Sequence, residues 1–582
     1  MTDRESRRAS FSASCLKRRI ATFKGDERGS LLIFGLFCFV MMLFLAGVAI
    51  DLMRFEERRT RMMNTADRAV LAAAELNQKL DPKEVVRDHF RKEGLPVPKD
   101  SQITVVSAGT GASRIVKVDT SAAMPTWFMN LYGIKELSTP ARATAQESVG
   151  NVEIALVLDV SGSMARGATS YSTPRIDNLR PAAKEFIDTM FDNVEEGHLL
   201  ISIIPYSTQV AITPDLASYF NMTTEQADSD CIEFDAADFN TTAMQVKNTI
   251  VMPADRVYQR NGHFNPFYNE TATASGPTWS ASQLTNCTAR NKPNLRVLPF
   301  SNDKAKLKAA IDGLVADGNT SIDVGVKWGA ALLDPSLNKV VKGMIAAGKT
   351  DARFADSPAV YTDGDTLKVL VVMSDGENTT EYRLKPGYRE NAASRVFYNT
   401  SFSNTSDLNQ YSYYDPTRPA ATRYYSFAKA AWRDQPYGDG TTTTCDKKGK
   451  CTTVNDPGAA ANLTWTELWK RVSITYFSDK IISPLYGSTA RNNNRPGGGT
   501  NSTSVYATKD TLLNNVCTAL KSPASGKGAI IYSIGFDAPD NGKTALQKCA
   551  SAPANFYAVT DVEIKTAFAS IANSINKLRL TQ

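Results

Sequence analysis

Ile154-Ala155-Leu156-Val157-Leu158-Asp159-Val160-Ser161-Gly162-Ser163-Met164 decides the reading of this 582-residue chain. An unbroken apolar run is what a strand buried on both faces needs. It breaks at a tight turn that delivers one carboxylate and two hydroxyls together. Oxygen-only donors of this kind suit a hard divalent cation, typically Mg2+. Asp, Ser and Gly are also ordinary turn residues, so the string gains weight only from its company. Two further segments supply it. Leu367-Lys368-Val369-Leu370-Val371-Val372-Met373 is a second buried-strand run, and it ends in Ser374-Asp375-Gly376. Gly318-Asn319-Thr320 precedes a helix-patterned stretch (Ile322, Val324, Trp328, Ala331, Leu332), which puts Thr320 in a loop or at an N-cap. In an open parallel sheet, ligands collect at the carboxyl ends of strands beside the switch in strand order. Adjacent strands lie about 4.8 Å apart. Asp159 and Asp375 are therefore expected to flank one ion, with Ser161, Ser163 and Thr320 completing its shell; Mg2+ fits, with Mn2+ or Ca2+ as alternatives.

This constellation resembles the metal-ion-dependent adhesion site of von Willebrand factor type A domains. The resemblance implies a binding role. An ion with few direct anionic ligands stays electrophilic and takes a carboxylate from a protein partner as its last ligand.

From Asn151 onward strands and helices alternate. Strands are expected at 152–158, 199–204, 294–299, 367–373, 528–535 and 555–558, and helices near 175–191, 302–314, 321–333, 507–520 and 562–577. Alternation predicts an α/β fold with a doubly wound, mostly parallel sheet. Such a domain needs about 200 residues, and 149–582 holds over twice that. The surplus falls in insertions at about 207–293, 335–365 and 377–463, with an Asn/Arg/Gly-rich loop at 488–505. The first and third leave from carboxyl strand ends and should emerge on the proposed metal face; the second should emerge opposite. The metal-side pair is rich in Tyr, Phe, Asn, Thr and Ser (Tyr411-Ser412-Tyr413-Tyr414, Tyr424-Tyr425). That composition serves either a recognition surface or the cover of its own subdomain.

Gly29 to Ile50 runs twenty-two residues without a charge, the length of a membrane-crossing helix. A cleaved secretory signal has a shorter apolar section and a small-residue cleavage site, so a retained anchor is expected. Residues 1–28 carry eight Lys/Arg against four Asp/Glu. The positive-inside rule then puts a short tail in the cytoplasm and the bulk outside. Little of the +6 net charge is left beyond the tail, and no basic face for nucleic acid is implied. Cys231, Cys287, Cys445, Cys451, Cys517 and Cys549 form an even set in the exported part, which suits disulfides. Sequence neighbours suggest 231–287, 445–451 and 517–549. Zinc is disfavoured, because there is no Cys-x-x-Cys and the chain has three His (His89, His198, His263).

Asp51 to about Leu80 is expected to be a continuous helix with a small-residue stripe (Ala66, Ala69, Ala72, Ala73). Ile103–Val106 and Ile115–Val118 bracket Gly109-Thr110-Gly111 as a hairpin, making 51–148 a small α+β stalk. Arg28-Gly29, the apolar span, Gly47-Val48-Ala49-Ile50-Asp51 and Asn64-Thr65-Ala66-Asp67-Arg68-Ala69-Val70-Leu71-Ala72-Ala73-Ala74 resemble the start of TadE/TadG-type proteins of bacterial tight-adherence (Flp) pilus systems. Several of those join this segment to a C-terminal type A domain. The close of the chain, Phe568-Ala569-Ser570-Ile571-Ala572 and Leu578-Arg579-Leu580-Thr581, is also similar to theirs. Pseudopilins of these systems carry Glu five residues past the processing Gly, whereas Phe34 stands here, so a fixed anchor is implied. The resemblance implies a single-pass inner-membrane protein with a periplasmic domain, and partners among pilus-assembly or surface components.

Catalysis has no support in the pattern. No His neighbours the Asp159 motif; Val160-Ser161-Gly162-Ser163-Met164 lacks the Gly-x-Ser-x-Gly elbow; and Asp537–Gly542 has Pro539 at a ligand position of an EF-hand loop. The expectation is a metal-dependent binding protein. The alternative is a structural pilus-assembly subunit without metal-gated binding.

Overall fold

The computed structural model describes residues 28–581 apart from 76–79, 108–112, 149, 168–172, 248–255, 263, 267–285, 289, 291, 402–407, 494–495, 500–502, 525, 527 and 561. The basic tail, the Gly109–Gly111 turn and His263 lie outside the described residues. The chain divides into two units, 1–149 and 150–582.

In the first unit one helix runs Arg28–Ala74, joining the apolar span to the small-residue stripe without a break. Its stretch from Leu31 is long and apolar enough to cross a membrane. A second helix, Pro82–Lys92, is capped by Asp81, whose side chain accepts the Lys83 N–H. The expected hairpin is present as β1 (Ile103–Ser107) against β2 (Ser113–Pro125), and β3 (Glu136–Ser148) adds an antiparallel third strand. Ala66, Ala69 and Ala73 are fully buried in the same core as Val116, Val118, Ala141 and Ala143. The small stripe thus lets the helix lie close on its own sheet.

The second unit is mixed α/β. Its main sheet comprises β4 (Asn151–Asp159), β5 (Leu199–Tyr206), β6 (Leu298–Ser301), β7 (Thr366–Ser374), β8 (Ile530–Phe536) and β9 (Phe556–Val559). The order is β9-β8-β7-β4-β5-β6. All pairings are parallel except β5 with β6. The third strand was expected at 294–299. Instead Pro293 opens a short 3-10 turn, and the strand begins at Leu298 as an antiparallel edge. An edge suits Pro299, which has no N–H to donate.

Alternate residues of β4 feed opposite faces. Ala155 and Val157 join one apolar cluster, and Ile154, Leu156 and Leu158 the other. The first cluster takes residues from helices Ile322–Leu332, Thr503–Lys521 and Asp540–Cys549; the second from Arg175–Asn193, Lys304–Asp312 and Glu563–Thr581. Burial on both faces explains why these strands read as continuous apolar runs. A Cβ at Gly329 would lie 2.5 Å from Val157, so glycine lets Ile322–Leu332 press onto β4. That contact brings its N-terminal loop over the carboxyl strand ends.

Among the described residues the disulfides are Cys231–Cys287, Cys445–Cys451 and Cys517–Cys549. The 377–463 insertion builds a five-stranded antiparallel sheet, in the order Ala431–Arg433, Tyr424–Ser426, Tyr411–Tyr414, Ala393–Asn399 and Ala460–Thr464. Tyr411 and Tyr413 point into a separate core with Trp465, Trp469 and Phe477. For these two tyrosines the covering role prevails over the recognition role.

Candidate functional site

β4 and β7 are neighbours in register from Asn151↔Thr366 to Leu158↔Met373, so Asp159 and Asp375 leave adjacent strands at the same end. Chain connections depart from these two strands in opposite directions across the sheet, which opens a crevice at that end. Asp159 is fully buried. One of its oxygens accepts the Ser161 N–H at 2.8 Å, and the other accepts Ser374 Oγ at 2.6 Å. Ser161 Oγ and Ser163 Oγ are 2.9 Å apart, and Ser163 Oγ donates to Asp375 Oδ1 at 2.6 Å. Four of the five expected donors therefore form one hydrogen-bonded chain.

Thr320 joins differently. Its N–H donates to Thr379 Oγ1 at 2.8 Å, and its carbonyl accepts the Thr379 N–H at 2.8 Å. Its Oγ1 would lie 3.5 Å from a Cβ at Gly376, so it faces the Asp375 loop. Gly318, with φ +81°, makes the turn before it, and the Gly318 carbonyl accepts the Gly162 N–H at 2.8 Å. Backbone bonds thus tie all three loops together. Among the described residues no side-chain hydrogen bond joins Thr320 to the other four.

Burial holds the Asp159 carboxyl above its ordinary range, against hydrogen bonds from Ser374 and Ser161 that favour the charge. Asp375 is pushed up to about 7 by burial and then by the Asp159 charge, opposed by Ser163 and Arg175. Tyr206 donates its hydroxyl to the Met373 carbonyl at 3.0 Å, and burial holds its pKa far above the usual value. Arg175 is a partner that local sequence reading missed. Its guanidinium contacts Asp375 Oδ2 at 3.3 Å and Asp537 Oδ2 at 3.2 Å. Ser374, also missed, had a visible signal: it immediately precedes Asp375 at the strand end.

The donor set fits a hard cation chemically, with two carboxylates, three hydroxyls, and neither imidazole nor thiolate. Two neighbouring acids that burial holds above their ordinary range, one raised further by the other's charge, are also what a divalent ion would relieve. Among the described residues no cluster of three or more His, Cys, Asp or Glu suited to a metal is present; this group has two acids and relies on hydroxyls.

Residues 29–76 match the Tad family model, described as Flp pilus-assembly TadE/G-like. No curated protein matches. Several solved structures do. The chain is 13% identical to the von Willebrand factor domain of the type V pilus tip protein of Porphyromonas gingivalis, covering 74% of this chain and 97% of that one at a TM-score of 0.27. It is 11% identical to the adhesive tip pilin of Group B Streptococcus agalactiae, covering 73% of this chain and 100% of that one at 0.30. It is likewise 11% identical to a minor pilin of Streptococcus sanguinis, covering 82% of this chain and 77% of that one at 0.28.

Proposed function

We propose that this is a membrane-anchored, non-catalytic binding component of pilus assembly or adhesion, held in the bacterial inner membrane with its larger unit in the periplasm. Its second unit is read as a doubly wound type A domain. Asp159, Ser161, Ser163, Thr320 and Asp375 hold Mg2+, or Mn2+ or Ca2+ in its place. The bound ion supplies a Lewis-acidic corner for a carboxylate of a partner protein, another pilus-assembly or surface component.

The observation that carries this reading is the hydrogen-bonded run from Asp159 through Ser161 and Ser163 to Asp375 on adjacent strand ends. Asp159 orients the serine turn through the Ser161 N–H, and Ser374 holds its second oxygen. Thr379 fixes the Thr320 loop from both sides of its peptide. The N-terminal match to TadE/G-like proteins supports the anchor and the assembly context.

A second reading rests on Arg175. The guanidinium already supplies Asp375 with a positive partner, which suits a structural subunit whose site needs no ion. Partner capture from crosslinked cells, with and without EDTA and with Asp159→Ala, separates the two. Loss in both conditions supports metal-gated binding, and unchanged capture in both supports the structural subunit.

A further inference from the structure

We infer that the loop Thr126–Ile134 is a second membrane contact, an aromatic wedge seated in the lipid interface beside the helix. The inference rests on the proposed anchor and adds a lipid-binding surface to it. Asp51, the first charge after the apolar stretch, is completely buried. Its carboxylate accepts three successive backbone N–H groups, Trp127 at 3.0 Å, Phe128 at 2.7 Å and Met129 at 2.8 Å. These lead into the short 3-10 turn Met129–Tyr132. Phe128 lies over Gly47, where any Cβ would come within 2.5 Å of its ring. Tyr132 meets Phe44 edge-on at 5.6 Å.

At about 1.5 Å rise per residue, Phe44 sits about 10 Å below Asp51 along the helix. The loop therefore lies alongside the last two turns of the apolar segment. Trp127, Leu131, Tyr132 and Ile134 are nonetheless 64%, 69%, 57% and 42% exposed, beside helix residues Leu43 and Leu45 at 55% and 67%. Loop and helix present one continuous apolar surface, and lipid is what covers the helix at that depth.

Two features suit the interface. Irregular backbone enters a low-dielectric layer only if its polar groups are already paired. Beyond the three donors held by Asp51, the N–H groups of Leu131, Gly133 and Ile134 bond to carbonyls inside the loop, and that of Thr126 closes its base on the Lys135 carbonyl. Trp and Tyr are also the residues that favour the headgroup boundary. Arg54, 3.7 Å over the Trp127 ring, adds a cation at the level of the lipid phosphates.

The test uses the full chain in nanodiscs of phosphatidylethanolamine and phosphatidylglycerol, with Cys15→Ser and an environment-sensitive fluorophore on a single added or native thiol. Three sites are compared: Leu131→Cys in the loop, Cys38 in the span, and Val106→Cys on β1, with Cys38→Ser added to the first and the last so that each protein carries one free thiol. The wedge predicts that label 131 is blue-shifted, quenched by doxyl lipid and protected from iodide, while label 106 is open to iodide. Asp51→Asn, which weakens the clamp on the loop, should restore iodide access at 131 and leave 38 protected. Iodide access at 131 with 38 still lipid-quenched overturns the wedge alone. Iodide access at both overturns the anchor as well.

Discussion

β4 and β7 carry a pair of charged residues at each of their ends, and the two ends are built differently. At the amino ends Glu153 and Lys368 form a buried ion pair at 2.5 Å; Lys368 also donates to the Leu333 carbonyl, and Glu153 accepts the Ala359 N–H. Each charge there is matched. At the carboxyl ends Asp159 and Asp375 are both acids, and the Arg175 guanidinium reaches Asp375 but is shared with a third acid, Asp537. The same two strands therefore hold one neutral, internally satisfied pair and one pair with surplus negative charge. The first arrangement serves packing, and the second is suited to receive a cation.

That contrast gives opposite mutational signs. Lys368→Met strands the Glu153 charge and should cost about 3–5 kcal/mol by chemical denaturation. Asp375→Asn removes an acid from the crowded end and should leave the metal-free protein at least as stable as the parent. Equal losses from both changes would erase the distinction.

A further buried acid sharpens it. Glu233 is pushed up to about 7 by burial, although Arg383 and an Asn261 hydrogen bond favour its charge. Its folded pKa exceeds its unfolded value, so it contributes stability that is full below about 4.5 and lost as pH rises through about 7. Glu233 should lower the stability of the metal-free parent across that window by an energy on the order of 3 kcal/mol, on top of a fall of the same sign from Asp375. Glu233→Gln should flatten the fall, and an unchanged slope would show that its burial carries no such cost.

The remaining effects depend on the ion. With Mg2+ at about one hundred times its dissociation constant, the parent should gain about 2.7 kcal/mol of stability, and Asp159→Asn should gain none. Thr379→Ala touches no proposed ligand side chain but removes the hydroxyl that holds the Thr320 N–H, and should weaken Mg2+ about tenfold. Full affinity in Thr379→Ala would mean that Thr320 needs no positioning.

The strands of the main sheet were legible because burial on both faces leaves an unbroken apolar run, as at 154–158 and 367–373. β3 was not, because Ala141, Ala143 and Ala145 bury little bulk and Pro140 interrupts the pattern. The helix Asp540–Cys549 begins Asp-Asn-Gly, turn chemistry that masks a helix start. Within the site, each expected donor sits beside a motif at a strand end or helix start, where local pattern reaches. Arg175 contacts Asp375 two hundred residues away, and Asp51 holds backbone 76 to 78 residues downstream. No local pattern encodes such contacts, since the fold alone makes them neighbours.

The most direct test of the central claim is calorimetric titration of Mg2+ into the full chain in detergent, parent against Asp159→Asn. One saturable site in the parent that vanishes in the variant is the predicted result. An absence of saturable heat in the parent, or an undiminished site in the variant, would contradict it.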